Sequence, residues 1–214
     1  MSIFEKLRHR ICLLWQSSSA RLNITLLGGS IINFAYIAGN IASAFIYHSL
    51  WAATLTAYHL MLIVIRIYLL SARRRMSTIS ESRILLRVGI LLLFLDLVCA
   101  LIMIFTISSG SFVSYSGIIL LAFLIYAIYS LSSSVFAVKR HSEGNRHLHL
   151  AARSISLSTS LMAVFNLQYS VLSLLGADSR LIGRAILVGA VAVFSVILFL
   201  SVRLIRRARA ELGQ

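Results

Sequence analysis

Three charged or titratable residues, His59, Arg66 and Asp96, lie inside long apolar runs of this 214-residue chain. His59 and Arg66 are seven residues apart in TAYHLMLIVIRIYLL, a spacing that places them on nearly the same face of a helix. Asp96, in LLLFLDLVCA, is the only acidic residue within such a run. Ionisable groups at membrane depth are rare and usually mark ion pathways, proton relays or ligand sites. We therefore predict a polar site built on these three residues.

The depths of the three residues suggest how they would be arranged. At about 1.5 Å per residue, His59 and Asp96 each lie roughly 18 Å from the basic end of their helix, and Arg66 lies roughly 8 Å from it. An unpaired charge at mid-membrane costs about 2.5–3.5 kcal/mol, so Asp96 should find a donor or be protonated. We expect His59 and Arg66 to flank Asp96, with a hydroxyl group of another helix as the alternative partner. In a proton-linked mechanism, Asp96 would exchange protons with His59.

Other apolar runs carry amides and phenols at similar depth. The further candidates for a solute or ion pathway are Asn33 in the first run, Tyr126 and Tyr129 in the fourth, and Asn166 in the fifth. Polar side chains between membrane helices also serve as interhelical hydrogen bonds, and that interpretation stays open for each of them. The sixth run offers only Ser195 and is expected to face lipid or another subunit.

Six apolar segments must position these residues. The chain is 59% hydrophobic and only 12% charged, a composition that excludes a soluble domain. Each segment is long enough to cross a hydrocarbon core of about 30 Å. The predicted spans are Ile24 to Ile46, Leu50 to Ser71, Ile84 to Ser108, Val113 to Val138, Ser154 to Gly176 and Ile182 to Ile205. The predicted fold is an all-α, polytopic membrane bundle of six transmembrane helices arranged as three hairpins.

The basic residues indicate topology. The formal net charge is +14, but 17 of the 20 Lys and Arg residues fall in four segments, each on one side of an apolar run. The positive-inside rule then places both termini in the cytoplasm, and we predict no nucleic-acid partner. Basic clusters beside a membrane favour anionic lipid headgroups. The candidates for headgroup contact are Arg73, Arg74, Arg75, Arg206 and Arg207.

The amino terminus differs from the rest of the chain. In SIFEKLRHRICLLW the apolar residues fall within about 120° of one helical face, which is typical of an amphipathic helix in the headgroup region. We predict an interfacial helix over residues 1–19 and a single six-helix domain over 20–214.

Several kinds of chemistry lack their motifs. HExxH, Walker and GxSxG sequences are missing, and one acid at membrane depth cannot form a two-carboxylate site. The histidines of KRHSEGNRHLHLAAR follow no recognised metal-ligand spacing. We predict no enzyme activity, no cofactor and no metal site, although a lipid-modifying enzyme is not excluded.

The segments SLWAATLTAYHLMLIVIRIYLL and AARSISLSTSLMAVFNLQYSVLSLLG resemble stretches of uncharacterised small six-span integral membrane proteins of Gram-positive bacteria. The resemblance implies a bacterial cytoplasmic membrane and no particular activity. In size and topology the chain is also similar to the substrate-binding S components of energy-coupling factor importers. Its short outer loops depart from that pattern because they leave little material for a lid.

Two functions are compatible with these features. The first is a small-solute or ion transport or channel component with a mid-membrane polar site. The second is a non-enzymatic assembly or regulatory protein whose buried charges lock the packing of the helices. Either protein would contact the lipid bilayer and anionic headgroups, and either could form a homo-oligomer or join a partner membrane subunit.

Overall fold

The computed structural model describes residues 18–74, 80–109, 113, 115–139, 146–175 and 179–212, with side chains from residue 33 onward apart from a few at helix ends. All the regular structure in these ranges is helical. The helices are α1 (Ser18–Tyr47), α2 (Leu50–Arg74), α3 (Glu81–Ser108), α4 (Gly117–Lys139), α5 (Arg146–Leu174) and α6 (Ser179–Leu212). Each predicted span therefore coincides largely with one helix.

Five of these helices are long and apolar enough to cross a membrane. Their apolar stretches are Leu50–Ala72, Glu81–Ser108, Gly117–Val135, Leu148–Leu174 and Ile182–Leu212. The predicted first span lies within α1, and its role as a sixth span stays a prediction. The predicted interfacial helix falls on residues 1–19, of which 1–17 lie outside the described residues.

His48 and Ser49 form the tight turn that reverses the chain between α1 and α2. His48 adopts a positive φ of 49°, the left-handed conformation that often ends a helix. The next residue, Ser49, then caps α2, because its hydroxyl accepts a hydrogen bond from the Ala52 N–H at 3.2 Å. This turn places α1 beside α2 and lets Asn33 on the first helix face Arg66 on the second.

Helix α5 is central to the bundle and packs against each of the other five helices. The most extensive helix contact is between α3 and α6, followed by those of α4 with α5 and of α1 with α2. Within the described residues, α3 and α4 make no close backbone contact. The predicted three-hairpin packing is therefore wrong for the middle pair.

Gly89 explains why α3 pairs with α6. A Cβ atom at this position would lie 2.8 Å from Cγ1 of Ile205 and 3.2 Å from the carbonyl oxygen of Ser201. The missing side chain lets the two backbones approach closely, as small residues commonly do between membrane helices. The sixth helix, predicted to face lipid or another subunit, thus buries one face through Ile186, Ile197 and Leu204.

The core runs through all six helices, while large apolar side chains remain on the outside of the bundle. Phe34, Phe94, Phe105, Val188 and Phe199 are each more than half exposed. An apolar surface of this extent suits a lipid environment rather than water. The helical, apolar architecture is compatible with an integral membrane protein.

Candidate functional site

Arg66 lies in the interior of the bundle with only 4% of its surface exposed. Its Nη2 group donates a hydrogen bond to Oγ1 of Thr159 on α5 at 3.1 Å. The Thr159 hydroxyl in turn donates to the carbonyl oxygen of Ile155 at 2.8 Å. The Nε and Nη1 atoms of Arg66 are buried, and within the described part of the chain no group accepts a hydrogen bond from either of them. A guanidinium has five N–H donors, so most of its hydrogen-bonding capacity is unused by the protein.

The guanidinium borders a polar pocket between α1, α2, α4 and α5, which we term the Arg66 pocket. The pocket has a cavity volume of about 20 Å³ and opens to the outside at its rim. Its lining consists of Asn33, Arg66, Tyr126, Tyr129, Ser130, Ser133, Ser134, Ser156 and Thr159. None of these residues is acidic, so the pocket holds one cation surrounded by an amide and hydroxyl groups. Tyr129 is 41% exposed and lies toward the rim.

Asn33 and Tyr126 form the wall of the pocket opposite α2. The Tyr126 hydroxyl donates to Oδ1 of Asn33 at 2.5 Å. The ring of Tyr126 stacks on the ring of Tyr36 with a centroid distance of 3.8 Å. The Nδ2 group of Asn33 is buried and donates to no protein acceptor. A second strong donor without a protein partner therefore borders the same pocket as Arg66.

Four serines join α4 to α5 at the side of the pocket. The Ser134 hydroxyl donates to the carbonyl oxygen of Ser156 at 2.8 Å, and the Ser160 hydroxyl donates to the carbonyl oxygen of Ser130 at 2.7 Å. These reciprocal bonds hold the backbones of the two helices close together. The serines are spaced four residues apart on each helix, so each pair falls on one face.

His59 lies in an aromatic cage next to the pocket rather than in its lining. The ring is fully buried, with centroid distances of 4.7 Å to Tyr36 and 6.1 Å to Tyr126. Its Nδ1 atom lies 2.9 Å from the carbonyl oxygen of Leu55. A carbonyl can only accept, so Nδ1 carries a hydrogen and the second ring nitrogen, Nε2, is left without a partner.

Asn166 ties three helices together on the far side of the same cage. Its Oδ1 accepts a hydrogen bond from Nε1 of Trp51 at 3.1 Å, and its Nδ2 donates to the Tyr36 hydroxyl at 2.7 Å. Asn166 is therefore linked to the pocket through the Tyr36 ring but does not line it.

Asp96 is separate from the residues predicted to flank it. It is 3% exposed on α3 and makes no ion pair with His59 or Arg66, so that expected arrangement is wrong. Asp96 instead lies near Tyr58 and Cys99. Tyr58 directly precedes His59, and the two side chains are separated by about 100° around the helix. The two residues thus face different spaces between the helices.

The surroundings of Asp96 are poor in hydrogen bonds. Its Oδ1 atom is buried without a partner, as are the hydroxyl groups of Tyr58 and Ser158. The Tyr58 hydroxyl lies beside Ser158 on α5 without making a hydrogen bond to it. We term this space between α2, α3 and α5 the Asp96 space.

The helix ends near Ser49 and Tyr115 close over the aromatic cage. Tyr115, which precedes α4, lies 3.4 Å from Oγ of Ser49 through its hydroxyl, and its ring contacts Tyr47 and Tyr169. Burial raises the pKa of Tyr115 to about 12, so the phenol stays protonated near neutral pH. This end of the bundle is packed with rings, whereas the Arg66 pocket lies nearer the opposite end.

The predicted headgroup residues lie at that opposite end, near the ends of α2 and α6. Arg206 is exposed, and Nε of Arg207 lies 3.7 Å from Oε1 of Glu211. Arg73 and Arg74 are the last residues of α2, and Arg75 lies outside the described residues. Their contact with lipid stays a prediction.

The sequence-based prediction missed Trp51, Ser134, Ser156 and Ser160. The spacing of Ser130 with Ser134, and of Ser156 with Ser160, was the available signal, because four residues separate side chains on the same helical face. No comparable signal identified Trp51 as a hydrogen-bond donor to Asn166.

Comparison with family models, curated proteins and solved structures finds no match to the chain. The resemblance to six-span proteins of Gram-positive bacteria therefore stays a prediction.

Proposed function

We propose that this chain is a non-enzymatic, multi-pass protein of the bacterial cytoplasmic membrane that transports a small solute or ion through the Arg66 pocket. The observation that carries the proposal is a buried guanidinium that borders a polar pocket and has no counter-ion among the described residues. The polar lining comes from four different helices, which is the usual construction of a ligand site in a helical bundle.

The free-energy cost of burying Arg66 favours a ligand-binding role over a purely structural one. An arginine at membrane depth costs about 2.5–3.5 kcal/mol on insertion scales. A structural role would offset that cost with a carboxylate or with several protein acceptors. Arg66 has only the Thr159 hydroxyl, so its charge contributes little to locking the helices together. A solute that accepts hydrogen bonds in the pocket would offset the cost instead.

The proposal does not use a proton exchange between Asp96 and His59. Asp96 lies in the Asp96 space, and His59 lies in the aromatic cage with its Nδ1 hydrogen committed to Leu55. The polar pathway proposed here includes Asn33, Arg66, Tyr126 and Tyr129, all of which line one pocket.

The second candidate is an assembly or regulatory protein, and the serine pairs favour it. The reciprocal bonds between Ser134 and Ser156 and between Ser160 and Ser130 are satisfied within the protein and bring α4 against α5. Such a protein would show no flux, and its exposed apolar faces would serve contact with a second copy or a partner membrane subunit.

Flux in proteoliposomes tests the proposal. Vesicles containing the purified chain are shrunk in glycerol, urea, sodium formate or potassium chloride, with ionophores present for the salts, and the recovery of volume is followed by light scattering. We expect the vesicle volume to recover faster than in empty vesicles for at least one probe. In the Arg66→Gln variant the recovery rate should fall to that of empty vesicles.

Arg87→Gln is the matched control. Arg87 also donates to a tyrosine hydroxyl, Tyr68, at 3.2 Å, but it is exposed and lies outside the pocket. Its replacement should leave the flux unchanged. Recovery no faster than in empty vesicles for every probe would remove transport and leave the assembly function.

A further inference from the structure

We infer that the Arg66 pocket is an anion site, which takes a small monovalent anion such as a halide or a short carboxylate. This inference rests on the proposed transport function and specifies the class of solute. Its geometric basis is that two residues of the pocket lining, Arg66 and Asn33, carry buried N–H donors that have no acceptor among the described residues. These donors are on Nε and Nη1 of Arg66 and on Nδ2 of Asn33.

The charge balance of the pocket selects the sign of the ligand. Arg66 is the only charged residue in the lining, and the remaining members are an amide, two phenols and five aliphatic hydroxyl groups. A cation would meet the guanidinium without any carboxylate to compensate. An anion would instead neutralise a charge that is otherwise unpaired in a medium of low dielectric constant, where that interaction is strong.

The lining also disfavours neutral solutes. A neutral solute would need acceptors as well as donors, but several oxygens of the lining are already engaged. Oδ1 of Asn33 accepts from Tyr126, and Oγ1 of Thr159 accepts from Arg66. Each of these oxygens keeps a second lone pair, but the charged donors on Nε and Nη1 of Arg66 are the groups left without any partner among the described residues.

The size of the pocket limits the ligand to a few heavy atoms. The cavity volume of about 20 Å³ is little more than the roughly 10–15 Å³ that one water molecule needs, so only a very small ligand fits beside Arg66. A planar carboxylate suits the guanidinium because it can accept two parallel N–H bonds. A halide could accept from the same donors without an orientation requirement.

Asp96 does not supply the missing charge. It lies on α3 in the Asp96 space and makes no ion pair with Arg66. The two buried charges therefore remain independent, and the anion site should function without Asp96.

Thermal unfolding of the full chain in neutral detergent tests the inference apart from flux. The melting temperature is measured in sodium gluconate, whose anion is too large for the pocket, and sodium formate or sodium chloride is then substituted at constant ionic strength. We expect a saturable rise in melting temperature of several degrees with at least one of the small anions.

Three variants define the site. Arg66→Lys keeps the positive charge but loses the planar edge of N–H donors. The affinity for the anion should fall by roughly 10- to 100-fold. Asn33→Asp supplies a carboxylate within the pocket, so its melting temperature in gluconate should rise and the response to formate should disappear. Arg87→Gln is the control and should respond like the unaltered chain.

The outcomes separate this inference from the proposed function. A melting response without flux of any probe would retain the anion site and remove transport. Flux of glycerol or urea with no melting response to either anion would retain transport and overturn the anion site. Stabilisation by short-chain phosphatidylglycerol, with none by formate or chloride, would assign the pocket to a lipid headgroup and overturn the free-anion assignment.

Discussion

Helix α2 separates two polar regions, one around the basic residue Arg66 and one around the acidic residue Asp96. The two regions also differ in how many of their polar groups are hydrogen-bonded. On one side, Arg66 borders a pocket whose walls are joined by hydrogen bonds among asparagine, tyrosine, serine and threonine. On the other side, Asp96 lies in a space where its own Oδ1 and two neighbouring hydroxyl groups have no partner. The first region is a polar pocket lined by four helices, while the second holds a buried carboxyl group with few hydrogen-bond partners around it.

The difference shows that a charge at membrane depth is not by itself a site. Both residues are almost fully buried, at 4% and 3% exposure, and both lack an opposite charge. What distinguishes Arg66 is that other donors from three more helices converge on the same space. Four predictions test this contrast between the Arg66 pocket and the Asp96 space.

Replacing Asn166 with Leu should have the largest effect. The change leaves the Trp51 indole N–H and the Tyr36 hydroxyl without their partner in the interior. We expect a loss of about 2–4 kcal/mol in the free energy of unfolding, measured by denaturant titration in detergent. Ser195→Ala on the exposed face of α6 is the control. A loss below about 1 kcal/mol would show that the network on the Arg66 side is no better supported than the Asp96 space.

Replacing Asp96 with Asn should stabilise the protein. The amide cannot ionise, so it avoids the cost of a buried carboxyl group that has no ion pair among the described residues and must be either charged or held protonated. We expect a gain of about 1–3 kcal/mol in the free energy of unfolding at about pH 8 and unchanged flux. The same titration and vesicle assay measure both. Destabilisation would mean that the carboxylate has a stabilising interaction, and the contrast with Arg66 would fail.

Replacing His59 with Phe should have a smaller effect. The phenyl ring keeps the aromatic contacts with Tyr36 and Tyr126 but loses the hydrogen bond to the carbonyl oxygen of Leu55. We expect a cost of about 1 kcal/mol and transport at a similar rate. Abolished flux at normal stability would return His59 to the pathway and restore a proton-relay mechanism.

Replacing Ser134 with Ala should have the smallest effect. It removes one hydrogen bond, to the carbonyl oxygen of Ser156, from a cluster that retains the Ser160 bond to Ser130. Interhelical bonds of this kind contribute about 0.6 kcal/mol on average in membranes. Ser132→Ala, which lies on the exposed side of α4, is the matched control and should cost less.

The positions of the helices were predictable from the sequence because an apolar run of about 20 residues has few alternatives to a membrane helix. The pocket was predictable in part. Four candidates were chosen because they are polar residues within apolar runs, and the structure brings all four to one pocket. They are Asn33, Arg66, Tyr126 and Tyr129.

The partner of Asp96 was not predictable in the same way. Distance along a helix gives depth, but it does not give the direction in which a side chain points around the bundle. His59 and Asp96 have similar predicted depths but face different spaces, because helix rotation is determined by packing against neighbours. The role of Gly89 was unpredictable for the same reason. Its close packing depends on Ser201 and Ile205 of α6, which lie more than 100 residues later in the chain.

The central position of α5 has a consequence for synthesis of the chain. The first four helices leave the ribosome before α5, and within the described residues α4 makes close backbone contact only with α1 among the helices that precede it. Arg66 and Tyr126 then lack the surface that carries Thr159, and the serines of α4 lack the carbonyl oxygen of Ser156. A nascent chain stopped before α5 would therefore expose a guanidinium and a row of hydroxyl groups to lipid. Such an intermediate is the form of this protein that membrane quality control would recognise most readily.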